Sequence, residues 1–219
     1  MFTKILSFIL MSVYANFISA SSDTSMNKDN TAIIVVDVQK DFTQEYSGAL
    51  AVNGTNFAYV NSVILETAKL KEAGFHIVVT QDYHPHDHSS FKAQGGAWPP
   101  HCIQGTPGAD LLVTSNDYIS QKGTEQAVDS YSAFIDDAGK KWPLEDHLKR
   151  RGVTNLIIYG IATDYCVRAT ALDAKKFGFD VTVVGSLSRG VDSSTCAKAI
   201  TDFAAAGIRY VDNLSELPL

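Results

Sequence analysis

Short apolar runs, rich in β-branched residues, alternate with segments of helical periodicity along most of the chain. The apolar runs predict strands at 31–36, 76–80, 155–159, 181–184 and 208–211. A run that is apolar throughout is typical of a strand buried on both faces of a parallel sheet. Apolar residues at helical spacing predict helices at 58–73, 164–177 and 193–206. This alternation predicts an α/β fold, with a doubly wound, mainly parallel sheet and helices on both faces.

The first twenty residues differ from the rest of the chain. A single charge, Lys4, precedes an apolar run, and the segment closes on the small residue Ala20. This pattern predicts a signal peptide at 1–20 and a secreted or periplasmic protein, although a buried helix is the alternative. The polar residues 21–30 predict a flexible lead-in, which leaves 31–219 as a single domain. Without a second apolar stretch of membrane length, we expect no stable membrane anchor.

Composition narrows the possible partners. Among 219 residues, 18 basic and 24 acidic side chains give a net charge of −6. Such a chain would repel a phosphate backbone, so we expect no nucleic acid partner. The three cysteines are too few for a disulfide framework, and their odd number leaves at least one thiol free. We therefore expect a small-molecule partner, and the sequence leaves open whether the chain forms a homo-oligomer.

Several residues with chemical potential follow the predicted strands, where ligands bind in open α/β sheets. Asp37 ends the first strand, either as a turn cap or as a general base. Cys166 lies just inside a helix start, a position that favours a thiolate; a buried core residue is the alternative. Cys196 lies in the middle of the predicted helix 193–206, and we expect it to be buried in the core. Lys122 alone is typical of a solvated surface lysine.

A possible metal site follows the second predicted strand. Asp82 and His84 would share one face of an extended segment, and His101 could return from the loop 84–119. Two imidazoles and a carboxylate are ligands that suit first-row transition metals. The loop is far longer than ordinary connections, which favours a functional role. A histidine-rich loop without metal is the alternative.

Five short segments, in a fixed order, carry a resemblance to a known family. They are VDVQKDF at 36–42, DYHP at 82–85, WPPHC at 98–102, KG at 122–123 and GIATDYCV at 160–167. Together they resemble nicotinamidases (pyrazinamidases) of the isochorismatase-like cysteine hydrolase superfamily, over residues 32 to 211. The resemblance implies an isochorismatase-like, Rossmann-like three-layer fold. It also implies deamidation of nicotinamide to nicotinate and ammonia, with pyrazinamide as a further substrate.

The resemblance assigns roles to particular residues. It implies a catalytic triad of Asp37, Lys122 and Cys166, and this promotes the lysine from the surface to the site. The implied ligands of one divalent transition metal, which could be zinc, iron or manganese, are Asp82, His84 and His101. Some members use a further histidine in the loop, for which His88 is the nearest match and His86 a weaker one.

The same resemblance leads to a mechanism and to a pocket. A non-proline cis bond is implied between Ile161 and Ala162. Backbone N–H groups of Ala162 and Cys166 would hold the oxyanion, and the metal would bind the ring nitrogen of the substrate. The aromatic walls of the pocket are expected to be Phe42, Trp98 and Tyr165.

Other functions remain open at this point. An isochorismatase would lack the nucleophilic cysteine, so Cys166 argues against it. A metal-free cysteine amidohydrolase of ureido or carbamoyl substrates is disfavoured by the implied metal ligands. A non-catalytic secreted metal-binding protein or a thiol redox protein is a third possibility. A redox protein would be expected to carry a nearby resolving cysteine, and the sequence has no Cys-x-x-Cys.

Overall fold

The computed structural model describes residues 26–219, so the signal peptide predicted at 1–20 and the first half of the lead-in lie outside the described residues. Export stays a prediction, which N-terminal sequencing of the native protein would check. The described chain contains one six-stranded sheet, in the order β3-β2-β1-β4-β5-β6, with every strand pair parallel. The strands are β1 Thr31–Val36, β2 His76–Asp82, β3 Tyr118–Lys122, β4 Asn155–Gly160, β5 Asp180–Val184 and β6 Arg209–Val211. The helices are α1 Phe57–Glu72, α2 Leu144–Arg150, α3 Arg168–Lys176 and α4 Ser193–Ala205.

Alternate residues of a strand point to opposite faces of the sheet. Since the central strands are apolar on both faces, helices cover both sides of the sheet. Ile33 and Val35 of β1 belong to the cluster that contains the apolar side of α1. Ile34 and Val36 belong to the opposite cluster, with residues of α2, α3 and α4. Every residue of β1 is buried, as its unbroken apolar run predicts. The predicted doubly wound, three-layer α/β fold is confirmed.

The strand order places a topological switch point between β1 and β4, at the centre of the sheet. Their register pairs Val36 with Gly160, so the two carboxyl ends lie side by side. At such a point the connections leave toward opposite faces and a crevice opens between them. The segments that follow β1 and β4 begin with Asp37 and Ile161. The sheet therefore brings together two motifs that lie far apart in the sequence.

Most element bounds follow the apolar pattern within one or two residues, but three features were not predicted. The predicted helix 164–177 is a π-helical turn at Thr163–Val167 followed by α3. Strand β3 was missed because it forms one edge of the sheet and buries only alternate residues. Helix α2 was missed because it has only 7 residues, with buried leucines four positions apart at Leu144 and Leu148.

The long segment after β2 has a defined path in the structure. Two 3₁₀ turns, Lys92–Gln94 and Pro107–Ala109, interrupt it, and a bridge pairs His84 with Ile103. The segment thus returns its middle portion to the carboxyl end of β2. Within residues 26–219, no helix has the length and hydropathy needed to cross a bilayer.

Candidate active site

Asp37 follows β1 directly and is fully buried. Its backbone has φ 48, and its Oδ1 accepts a 2.5 Å hydrogen bond from the Thr80 hydroxyl. Its Oδ2 lies 2.9 Å from Lys122 Nζ but has no directed hydrogen bond among the described residues. Burial raises the pKa of Asp37, against the opposing charge of Lys122 and with the help of the Asp82 carboxylate. This oxygen, which Lys122 contacts only as an ion pair, can receive a proton.

Lys122 ends β3 and is 0% exposed, so it is not a surface lysine and lies at the site to which the resemblance assigned it. Its Nζ makes ion pairs with the carboxylates of Asp37 and Asp82. It also lies 3.2 Å from the carbonyl oxygen of Ser130 and 3.4 Å from Cys166 Sγ. Burial by itself would lower the pKa of Lys122, but the two carboxylates hold that pKa well above its usual value. The lysine is therefore a fixed cation beside the thiol.

Cys166 lies in the π-helical turn after β4 and is 7% exposed. Burial raises the pKa of its thiol well above the usual value, and the charge of Lys122 only partly opposes this effect. The position at a helix start favours a thiolate, whereas burial acts in the opposite direction and favours the protonated thiol. A protonated thiol must lose its proton during the reaction. Asp37 and Lys122 are placed to take and balance that charge.

The turn around the cysteine carries the two N–H groups that are expected to bind the oxyanion. The Ile161–Ala162 bond is cis, as expected. The Ala162 carbonyl accepts hydrogen bonds from the N–H groups of Tyr165 and Val167, each at 3.0 Å. Within the described residues, the Ala162 N–H donates no backbone hydrogen bond, and the Cys166 N–H does not donate to the Ala162 carbonyl. Both groups are available to bind an oxyanion.

Asp82, His84 and His101 form a buried cluster whose ligand atoms lie within 4.8 Å of one another. Asp82 Oδ2 is 3.5 Å from His84 Nε2 and 4.0 Å from His101 Nε2. The Nδ1 of His84 lies 2.9 Å from the carbonyl of Gly123, and that of His101 lies 2.8 Å from the carbonyl of Pro99. These contacts place a proton on each Nδ1 and leave a lone pair on each Nε2. The cluster fits a divalent transition metal.

The two other loop histidines are not brought into this ligand set. His88 is buried, but its Nδ1 contacts the Ser90 hydroxyl at 2.7 Å and its Nε2 contacts the Val128 carbonyl at 3.2 Å. Both nitrogens of His88 are thus occupied, although its ring packs 4.2 Å from that of His84. The side chain of His86 is 86% exposed. The structure groups three protein ligands.

A pocket of about 180 Å³ opens above these groups, and Phe42, Trp98 and Tyr165 line it as expected. The rings of Trp98 and Tyr165 meet edge to face at 5.2 Å, and the Trp98 indole donates to the Tyr131 hydroxyl at 2.9 Å. A cavity of roughly 150 Å³ accommodates benzene. The pocket therefore has room for a substrate with one aromatic ring.

Sequence reasoning missed several residues around the site. Val52 and Tyr131 line the pocket, yet they lie in irregular segments that carry no periodic signal. Gln39 is buried and fixes Asp82, since its amide bonds both the carbonyl and the N–H of that residue. One sequence signal was available: Thr80 is a polar residue within a buried strand, and its hydroxyl donates a hydrogen bond to Asp37. Cys196 was expected in the core but is only partly buried.

Comparison of the sequence with models of known protein families assigns the chain to one of them. A model of the Isochorismatase domain matches residues 31–213. The chain belongs to the isochorismatase family. Among curated relatives of this family, the nicotinamidase/pyrazinamidase of Mycobacterium tuberculosis is 37% identical over 191 residues, which cover 82% of this chain and 97% of the relative.

Solved structures of the family have the same architecture. PnC1 from L. infantum, in complex with nicotinate, is 34% identical with a TM-score of 0.80, and the match covers 85% of this chain and 94% of that chain. The pyrazinamidase of Pyrococcus horikoshii, in complex with zinc, is 38% identical with a TM-score of 0.74, and the match covers 84% and 99%. This likeness extends over nearly all of the described chain.

Proposed function

We propose that the protein is a metal-dependent cysteine amidohydrolase that converts nicotinamide to nicotinate and ammonia, and that also accepts pyrazinamide. The single observation that carries this proposal is the position of Cys166. Its thiol lies 3.4 Å from a buried lysine cation and faces a pocket of one-ring size that Asp82 and the two histidines also line. The relatives and structures named above support the same activity.

The first step is attack by the sulfur. Cys166 transfers its proton to Asp37 as the sulfur approaches the amide carbon of the substrate. Lys122 stays protonated and balances the negative charge that remains on the sulfur. Because burial disfavours a free thiolate, proton transfer and attack are expected to be closely coupled.

The tetrahedral intermediate needs a binding site for its oxygen. The N–H groups of Ala162 and Cys166, the second of which does not donate to the Ala162 carbonyl, supply that site, and each such donor contributes about 3 kcal/mol in the transition state. Asp37, now protonated, donates its proton to the departing ammonia. A thioester of the ring carboxyl group with Cys166 remains.

Water completes the reaction. Asp37 removes a proton from the water that attacks the thioester, and the acid and the free thiol are released. Asp82, His84 and His101 would hold the metal, which when bound supplies a coordination site that orients the ring nitrogen. The aromatic side chains Phe42 and Trp98 limit the space to a flat ring.

Ammonia release by purified mature protein tests this function. We expect turnover of nicotinamide and pyrazinamide and much slower turnover of benzamide, which has no ring nitrogen. About one transition metal per chain is expected, and chelation should suppress activity until metal is restored. Equal turnover of benzamide, or full activity in a metal-free preparation, would favour the metal-free amidohydrolase instead.

A further inference from the structure

Asp164 is a buried carboxylate that the proposed mechanism does not use. It lies two residues before Cys166, in the π-helical turn Thr163–Val167, and is 8% exposed. It is not among the residues that line the pocket. Burying a carboxylate is costly unless its oxygens are hydrogen-bonded. The partners of Asp164 therefore indicate its role.

Those partners lie in the two residues before α4 and in its first turn. Asp164 Oδ1 accepts a hydrogen bond from the Val191 N–H at 3.0 Å. Its Oδ2 accepts hydrogen bonds from the Asp192 N–H at 3.1 Å and from the Thr195 hydroxyl at 2.5 Å. One side chain thus attaches the turn that carries the nucleophile to a separate helix.

The hydrogen bonds of this turn decide what Cys166 can do. In a regular α-helical turn, the Cys166 N–H would donate to the Ala162 carbonyl, four residues earlier. Here the Val167 N–H donates to that carbonyl instead, at 3.0 Å and from five residues later, which is the π-helical pattern. The Cys166 N–H is thus released from the Ala162 carbonyl, to which it would donate in a regular α-helical turn. The widened turn therefore creates one of the two oxyanion donors.

Backbone contacts fix only the beginning of the turn. The Thr163 N–H donates to the Arg189 carbonyl at 2.9 Å, and the Ile161 N–H donates to the Val36 carbonyl at 2.8 Å. Beyond Thr163, the Asp164 carboxylate supplies the next hydrogen bonds from the turn to a neighbouring segment. Without them, nothing at Asp164 opposes closure of the turn to the regular α-helical pattern.

We propose that Asp164 is a positioning residue, which keeps this turn wide so that the Cys166 N–H stays free for the oxyanion. The inference rests on the proposed function, because an oxyanion forms only if the amide carbon is attacked. Asp164→Asn tests it, since asparagine keeps the size but replaces one acceptor oxygen with an NH₂ group. In either orientation of the amide, the NH₂ group cannot accept a backbone hydrogen bond, so the one from Val191 or the one from Asp192 is lost.

Kinetics of Asp164→Asn give the first test. We expect kcat to fall at least about tenfold, part of the hundredfold to thousandfold effect of losing an oxyanion donor. KM should change by less than about twofold, because Asp164 itself does not line the ring pocket. The aldehyde analogue of nicotinamide, which adds the Cys166 thiol across its C=O bond and needs the same donor, should bind at least about tenfold more weakly.

Asp192→Ala is the matched control. Asp192 caps α4 by accepting hydrogen bonds from the N–H groups of Ser194 and Thr195, so its loss should lower Tm but leave kcat unchanged. An unchanged kcat in Asp164→Asn would overturn the inference. So would a loss of kcat no larger than that of the control at a similar Tm.

A crystal structure of Asp164→Asn tests the inference without any substrate. We expect the Cys166 N–H to donate to the Ala162 carbonyl in the variant. A retained hydrogen bond from Val167 to that carbonyl would contradict the inference, whatever the enzyme acts on. Failure of the wild-type protein to release ammonia from nicotinamide would instead contradict the proposed function alone.

Discussion

Burial and charge oppose each other at the side chains around Cys166. Burial raises the pKa of the Cys166 thiol and of Asp37, and Lys122 counteracts both effects. Lys122 in turn keeps its proton only because two carboxylates lie against it. Removing one member would leave a buried charge without its partner, which is strongly destabilising. The group acts as a unit, so the neutral thiol is the member to change when activity and folding must be separated.

Cys166→Ala should abolish ammonia release while the protein keeps its fold and its metal. The substitution removes the nucleophile but no charge of the resting site, so we expect a loss of at least about a thousandfold in kcat. Activity, metal content and Tm measured on one preparation check this. Cys196→Ser is the matched control, because Cys196 is a partly buried thiol of α4 and its variant should retain activity. Appreciable turnover by Cys166→Ala would rule out the cysteine mechanism.

At the scale of elements, the end of β3 positions both the lysine and a metal ligand. Gly123 directly follows the strand with φ 61, and its carbonyl contacts His84 Nδ1 at 2.9 Å. A Cβ at this position would overlap the imidazole ring of His84. The glycine is needed here for two reasons, its left-handed backbone and the close approach of the ring.

Gly123→Ala should therefore displace His84 and reduce metal binding as well as stability. We expect metal content per chain and kcat to fall together, and elemental analysis with an activity assay checks this. Gly139→Ala is the control, since Gly139 also has positive φ, at 88, but a Cβ there would meet no atom of residues 26–219 within 4 Å. It should lose about 1 to 2 kcal/mol of stability from backbone strain and keep its metal. Equal metal content in the two variants would show that contact with the ring is unimportant.

At the scale of the whole molecule, the amino ends and the carboxyl ends of the strands carry different ionisable groups. At the amino ends of the strands, His76 begins β2 and contacts His147 of α2 through their Nε2 atoms at 2.8 Å. Its Nδ1 lies 3.5 Å from Asp117 Oδ2. Burial, followed by the charge of Arg151, lowers the pKa of His76 from 6.5 to about 4. This histidine is neutral at pH 7 and lies at the amino ends of the strands, whereas the active site lies at their carboxyl ends.

A depressed histidine pKa makes stability depend on pH. The unfolded chain binds this proton below about pH 6.5, whereas the folded protein binds it only near pH 4. The unfolded state thus carries more protons in that window, and the stability from the neutral histidine is lost as pH falls through it. In His76→Gln we expect the free energy of unfolding to depend less steeply on pH between 6.5 and 4. His86→Gln, at an exposed histidine, should keep the wild-type slope when denaturant unfolding is measured across that range.

The sequence alone determined the strands, the longer helices and the parallel sheet, because periodicity is local and an unbroken apolar run such as β1 requires burial on both faces. It also determined the motif residues, since each motif is contiguous. Edge strand β3 and the two-turn helix α2 gave too few apolar positions to be recognised. Only the tertiary structure, in which they pack against other elements, shows these two elements.

The tertiary structure decided what depends on contacts between distant residues. Three features arise where separate segments meet: the burial of Lys122, the raised pKa of the Cys166 thiol and the placement of Tyr131 in the pocket. So does the π-helical turn, whose Asp164 carboxylate is held by the start of α4. A residue's burial and hydrogen-bond partners set its pKa and its orientation, and both come from chain segments that no local pattern describes.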